Sequence, residues 1–232
     1  MDSAGEGGVR ITLCLPTKNE AGGIAGLIRE AKAYADEILV VDGHSTDATR
    51  QIAEDNGARV VLDNKRGKGD AYKVAIAAAR GEVIVFMDAD GSHDLADIPR
   101  LAAPILHGTA DLVVGSRMRG GSDEWHGDFD NFVRAVGSGV ITIGINYRWN
   151  TRLTDTLNGF RAVRTGVARR LRLRADDFDI EQHMVARALQ GGFRVTEVAA
   201  HESVRKWGRS KLPTYRKAWL FFRRLFLDVI GY

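Results

Sequence analysis

The chain has 232 residues, 44% of them hydrophobic and 27% charged, with a net charge of +3 and one cysteine. That composition is ordinary for a globular protein of one large domain, or of one domain with a small appendage. It excludes a disulfide within the chain, and Cys14, in an apolar run, reads as a small core residue. No apolar run reaches the ~18 residues of a membrane span, and the Gly-rich residues 1–9 read as a disordered leader rather than a signal peptide, so a cytoplasmic protein is expected.

Short β-type runs alternate with helical ones along the first half. Strands are predicted at Ile11–Pro16, Glu37–Asp42, Arg59–Asp63, Glu82–Asp90 and Asp111–Arg117, and helices at Ala21–Tyr34, Thr46–Asn56, Asp70–Arg80 and Leu95–Leu106. This alternation with short loops predicts a doubly wound, mostly parallel α/β sheet flanked by helices. Several strands end in a polar residue, which puts Thr17, Asn19, Asp42, Asp63, Asp88, Asp90 and Arg117 along one rim. In an open α/β sheet, ligands bind at the carboxyl ends of the strands.

The loops on that rim carry the chemistry. Val83–Phe86 is an apolar, partly β-branched run that leads into Asp88-Ala89-Asp90-Gly91-Ser92. Two hard oxygen ligands at such a place suit Mg²⁺ or Mn²⁺ holding a diphosphate; a helix N-cap followed by a solvated turn is the alternative. In Pro16-Thr17-Lys18-Asn19-Glu20, polar side chains stand where they would bond a base and ribose, or Asn19 is an N-cap. Asp42 closes its strand, placed to accept from a base N–H or a ribose hydroxyl, and Ser45 or Thr46 caps the helix that follows. Gly67-Lys68-Gly69, just before a helix, lets the backbone approach a phosphate and adds a positive charge, or forms a solvated turn; the spacing of a Walker A loop is absent.

The second half changes character. Asp128–Trp149 mixes apolar and charged residues, Thr151–Arg164 is polar and turn-rich, Ile180–Gln190 reads as a helix and Arg194–Ala200 as a strand. Tyr215–Ile230 has the pattern of an amphipathic helix with basic flanks, suited to a membrane interface or to docking on the domain. From His201 onward eight basic residues stand against two acidic ones, a local charge of +6. Such a segment suits an anionic membrane or a phosphorylated substrate; no nucleic-acid motif accompanies it. Acidic and Gly-rich Asp123–Asp130 has the composition of a mobile lid. His93 follows the carboxylate pair and borders the site, whereas His107, His126, His183 and His201 lack ligand spacing and read as structural or surface residues.

Taken in order, Pro16–Glu20, Val41–Asp47, Gly67–Gly69, Asp88–Asp90, Gly115–Arg117, Asp155 with Asn158–Arg161, Glu181, and Arg205 with Gly208–Lys211 resemble the inverting family-2 glycosyltransferases of GT-A fold. Within that family it resembles the polyprenyl-phosphate glycosyltransferases, dolichyl-phosphate mannose synthase among them. The resemblance spans about residues 10–213, which makes 214–232 an appended helix. It implies transfer of a hexose from a UDP- or GDP-sugar to a polyprenyl phosphate, at the membrane surface if the protein is peripheral. A soluble transferase of the same fold, acting on a small hydroxylated acceptor, is the alternative.

The resemblance also implies roles. Asp42 with Pro16, Thr17, Asn19 and Glu20 would hold the nucleoside, and Lys68 and Ala89 would line the donor site. Asp88 and Asp90 would bind the metal. Arg117, Arg205 and Lys211 would neutralise phosphate. Asp155 and Glu181 would face the sugar or position the basic groups, and either would be the base for a hydroxyl acceptor. Ser92 stands where the polyprenyl-phosphate enzymes commonly carry Gln, and would ligate the metal with a shorter reach. A dehalogenase-like phosphatase is disfavoured, because its Asp-x-Asp motif belongs on the first strand and here it follows the fourth. A non-enzymatic module with a vestigial site is disfavoured by the intact carboxylate pair.

Overall fold

The structure, a computed structural model, describes residues 10–123, 129–207 and 214–231, without the side chains of residues 129–134 and 214–217. In chain order its strands are β1 (Ile11–Thr17), β2 (Glu37–Asp42), β3 (Arg59–Leu62), β4 (Val83–Phe86), β5 (Leu112–Ser116), β6 (Arg161–Arg164) and β7 (Val195–Ala199). The helices are α1 (Ile24–Ala31), α2 (Thr49–Asp55), α3 (Lys68–Ala78), α4 (Ile98–Leu106), α5 (Arg117–Gly120), α6 (Phe129–Trp149), α7 (Thr165–Ala168), α8 (Ile180–Gln190) and α9 (Thr214–Val229).

The strands form one sheet in the order β3-β2-β1-β4-β6-β5-β7. Every pairing is parallel except those of β6, which runs antiparallel to β4 and to β5. The central strands are apolar on both faces, as a sheet covered by helices on both sides requires. With a period of two, Leu13, Leu15, Val83 and Val85 meet α1 and α4 on one side. Cys14, Ile84 and Phe86 meet α3, α6 and α8 on the other.

Two sequence expectations are revised here. β6 lies inside the stretch read as polar and turn-rich, because only Ala162 and Val163 separate its two arginines and so short a run carries no alternation to detect. β4 ends at Phe86 rather than Asp90, since its last partner in the sheet is Arg161. Residues 87–92 therefore leave the sheet as a loop, and this frees both carboxylates from the ladder.

The C-terminal helix docks on the domain through a buried polar contact. His183 Nδ1 donates to Asp228 at 2.7 Å, and the tautomer follows from Nε2 accepting the Arg174 amide at 3.1 Å. His183 thus serves structure. Among the described residues no helix is long and apolar enough to cross a membrane.

Candidate active site

A cavity of about 1120 Å³ opens over the carboxyl ends of β1, β2 and β4. The first loop supplies Pro16, Thr17, Lys18 and Glu20 to its lining. The Thr17 hydroxyl is buried with no hydrogen-bond partner among the described residues. An orphaned polar atom on a cavity wall marks a place for a ligand to bond.

Asn19 and Asp42 do not face this cavity. Asn19, at φ 56°, donates its amide to Ser45 Oγ at 2.8 Å, and its Oδ1 accepts the Thr46 amide at 2.8 Å. Asp42 is fully buried, and Oδ1 accepts the Ser45 amide at 2.8 Å while Oδ2 accepts the Ser45 hydroxyl. Where direct contacts with the nucleoside were expected, Asn19 clasps the first loop to the second and Asp42 braces the second from within through Ser45. Besides Glu20, the carboxylate that reaches the lining at this end is Asp63, with Gly43 and His44 beside it.

α3 begins at Lys68, two residues before the expected Asp70, and this puts Lys68 in its first turn. The flanking glycines are also required by the neighbouring chain. A Cβ on Gly67 would lie 2.7 Å from the Asp176 carbonyl, and one on Gly69 2.5 Å from that of Ala175. They admit the chain at 175–177, which seats α8 next to α3.

Lys68 consequently stands between two carboxylates, 2.7 Å from Asp88 Oδ1 and 2.8 Å from Glu181 Oε1. Burial alone would lower its pKa; Asp88 and then Glu181 outweigh burial and hold the ammonium charged well above its usual range. Asp88 shows the converse: burial would raise its carboxyl, and Lys68 keeps it below the ordinary value.

Asp90 is buried and accepts from Ser92 through the amide at 3.1 Å and the hydroxyl at 2.7 Å. Arg205 Nη2 lies 3.0 Å from its other oxygen. Ser92 is buried, is absent from the lining and gives its hydroxyl proton to Asp90. The expectation that it ligates a metal is replaced by the finding that it orients Asp90.

Asp155 is likewise moved out of the chemistry. Arg117 donates to it from Nε at 2.6 Å and from Nη2 at 3.1 Å, and Leu157 donates its amide at 3.1 Å. With 1% exposure and both oxygens taken, Asp155 has no lone pair to offer as a base. It holds Arg117 at the lining, where Nη1 also lies 3.5 Å from Glu202.

Arg161, fully buried, donates to the Asn158 and Glu181 carbonyls at 2.9 and 2.6 Å and pins both segments. Gly159 then packs so closely that a Cβ would lie 3.0 Å from Asp88 Oδ2. Glu202 and the apolar wall of Val136, Val140, Ile141, Ala218, Phe221 and Phe222 were not anticipated. Glu202 had no partner signal in the sequence, and α6 and α9 are too far apart in the chain to be read as one surface. Lys211 and residues 124–128 of the expected lid lie outside the described residues.

Asp88 and Asp90 both line the cavity, and no cluster of three His, Cys, Asp or Glu side chains suited to a metal occurs among the described residues. Two hard oxygen donors, with the rest left to phosphate and water, are the donor set Mg²⁺ and Mn²⁺ take with a nucleotide. The residues present fit such an ion.

A seven-stranded, mostly parallel sheet with an Asp-x-Asp loop on its carboxyl rim is the architecture of the GT-A class of fold. The chain belongs to glycosyl transferase family 2, which matches residues 12–172. It is 33% identical over 222 residues to the undecaprenyl-phosphate mannosyltransferase of Micrococcus luteus, an alignment covering 88% of each chain. It is 27% identical over 227 residues to the low-salt glycan biosynthesis hexosyltransferase Agl6 of Haloferax volcanii, covering 96% of this chain and 54% of that longer protein. Its fold matches glucosyl-3-phosphoglycerate synthase of Mycobacterium tuberculosis, solved with Mn²⁺ and UDP-glucose, at a TM-score of 0.74 and 23% identity, over 97% of this chain and 80% of the other.

Proposed function

We propose that this chain is a metal-dependent inverting glycosyltransferase that moves a hexose from a nucleoside-diphosphate sugar to a polyprenyl phosphate. On this reading residues 10–213 are the catalytic unit, α9 is its appended helix, and the protein works peripherally at the cytoplasmic face of a membrane. The observation that carries the reading is the cavity's two unlike walls: a charged rim at one end, and the apolar side of α6 and α9 at the other.

The apolar wall continues onto the surface. Val136, Val140, Ile143 and Tyr147 are exposed at spacings of four and three, one face of α6; Trp219, Phe222 and Phe226 do the same along α9, with Ile230 just past its end. Stripes of this kind beside Arg148 and Arg223 suit an anionic lipid surface.

Displacement at the anomeric carbon has oxocarbenium character, and its barrier falls as the leaving diphosphate is stabilised. Asp88 and Asp90 would hold the ion, which supplies Lewis-acid neutralisation of the diphosphate. Lys68, Arg117 and Arg205 supply fixed positive charge around it. Thr17, Glu20 and Asp63 line the nucleoside end.

Charge compensation favours an acceptor that arrives ionised. Asp88 and Glu181 are paired with Lys68, Asp90 with Arg205, and Asp155 and Glu202 with Arg117. A carboxylate so paired is a poor general base, and a phosphate nucleophile needs none. The test is incubation with radiolabelled UDP-glucose or GDP-mannose, Mn²⁺ and undecaprenyl phosphate in detergent. Label passing into the organic phase only with metal and lipid phosphate is expected. Label passing only to a water-soluble hydroxylated acceptor would replace this reading by the soluble alternative.

A further inference from the structure

The loop that carries Asp88 and Asp90 is held from behind by one short segment. Ser203 donates its amide to the Ser92 carbonyl at 2.8 Å, and the Lys206 amide to that of Asp90 at 3.0 Å. The indole of Trp207 donates from Nε1 to the Ala89 carbonyl at 2.7 Å. Between these anchors Arg205 reaches Asp90.

The ring fits a slot formed by two glycines. A Cβ on Gly91 would lie 2.8 Å from Cη2 and Cζ2, and one on Gly23, just before α1, would lie 2.0 Å from Cε2. Gly91 has φ +74°, so a side chain there is disfavoured by backbone as well as by space. The indole is thus a wedge between the start of α1 and the carboxylate loop, packed against the core on the α1 side.

We infer that Trp207 is a positioning residue for metal-dependent donor binding, setting the distance between the Asp88–Asp90 carboxylates and Arg205. The inference rests on the transferase reading above. Ala89 is buried, so its carbonyl needs a protein donor at this place. A tryptophan meets that need while filling the slot; phenylalanine fills part of the slot and donates nothing. Because the same few residues grip three loop carbonyls and carry the guanidinium, ion and phosphate see one preformed geometry.

The test is titration calorimetry of UDP and of GDP, each with and without Mn²⁺, on the full chain and on Trp207→Phe, with melting temperatures alongside. Trp207→Phe is expected to weaken Mn²⁺-dependent binding of the preferred nucleotide by roughly tenfold, the scale of one hydrogen bond. Metal-free nucleotide binding should hold even as the melting temperature falls by a few degrees for the carbonyl left unpaired, and that split separates positioning from a general structural role. Gly23→Ala approaches the ring from outside the metal loop, at an ordinary φ of −123°, and should weaken metal-dependent binding in the same way. The double variant should be no weaker than Trp207→Phe alone.

Unchanged metal-dependent affinity in Trp207→Phe, or fully additive losses in the double variant, would overturn the inference while leaving the transferase reading intact. If Trp207→Phe does not fold, Gly23→Ala decides: undiminished metal-dependent affinity there overturns the inference too. Failure of the unsubstituted chain to bind either nucleotide with Mn²⁺ would remove both.

Discussion

Arg117 and Asp155 meet in a two-point ion pair, at 2.6 and 3.1 Å, with Asp155 buried and Arg117 reaching the cavity. Burial would raise the Asp155 carboxyl; Arg117 outweighs burial and holds it below the ordinary carboxylate value. Asp155→Asn removes the two-point carboxylate that holds Arg117, and breaking a buried pair costs about 3–5 kcal/mol. A fall in melting temperature of several degrees is expected, together with loss of transfer.

The same pair sets an acid limit. A carboxyl with a depressed folded pKa contributes stability that is complete above its unfolded value, about 3.9, and is lost as pH falls from there toward the folded value. Melting temperature measured from pH 7 to pH 3 should drop for the parent chain below about pH 4. The Asp155→Asn curve should start lower and fall less over that interval; parallel curves would dissociate Asp155 from the effect.

Asp88→Asn and Asp90→Asn remove the anionic oxygens proposed for the ion. Each should abolish the Mn²⁺-dependent part of the thermal shift given by UDP or GDP. The parent chain at a hundredfold excess over Kd should gain about 2.7 kcal/mol. A shift that persists in both variants would place the ion elsewhere.

Lys68→Met withdraws the charge shared by Asp88 and Glu181. Removing one preorganised electrostatic group costs about 10²–10³ in turnover, so kcat should fall by about a hundredfold or more. If the role were confined to folding, kcat of the folded fraction would be unchanged, and single-turnover rates on protein of known active fraction distinguish the two.

Trp219, Phe222 and Phe226 are exposed on one face of α9. Replacing all three by Ser should abolish co-sedimentation with vesicles containing anionic lipid. The melting temperature should change little, since these side chains lie outside the core. Equal sedimentation of parent and variant would count against the lipid surface.

Much of this architecture was legible from local pattern. Apolar runs that end in polar residues predict strands opening onto one rim, because a strand buried on both faces must be apolar throughout and the chain must turn polar where it leaves the sheet. That reasoning points to the Asp88–Asp90 loop and Arg117, whereas Lys68 is read from its glycine-flanked loop and Arg205 only from the family resemblance. It could not find β6, whose four residues acquire strand character only by pairing with β4 and β5.

The division of labour among the polar residues was decided by tertiary structure alone. Asp42, Ser92 and Asp155 look in the sequence like Asp88 and Asp90: short oxygen-bearing side chains at loop starts. What separates them is that Asp88 and Asp90 reach the cavity, whereas Asp42 is turned to Ser45, Ser92 to Asp90 and Asp155 to Arg117, away from its lining. The apolar wall shared by α6 and α9 is of the same kind, since it joins residues some eighty positions apart. Periodicity and strand-end polarity are local and survive in the linear chain. Whether an oxygen is spent on the protein or left for a ligand depends on contacts between distant segments, and those exist only once the sheet has formed.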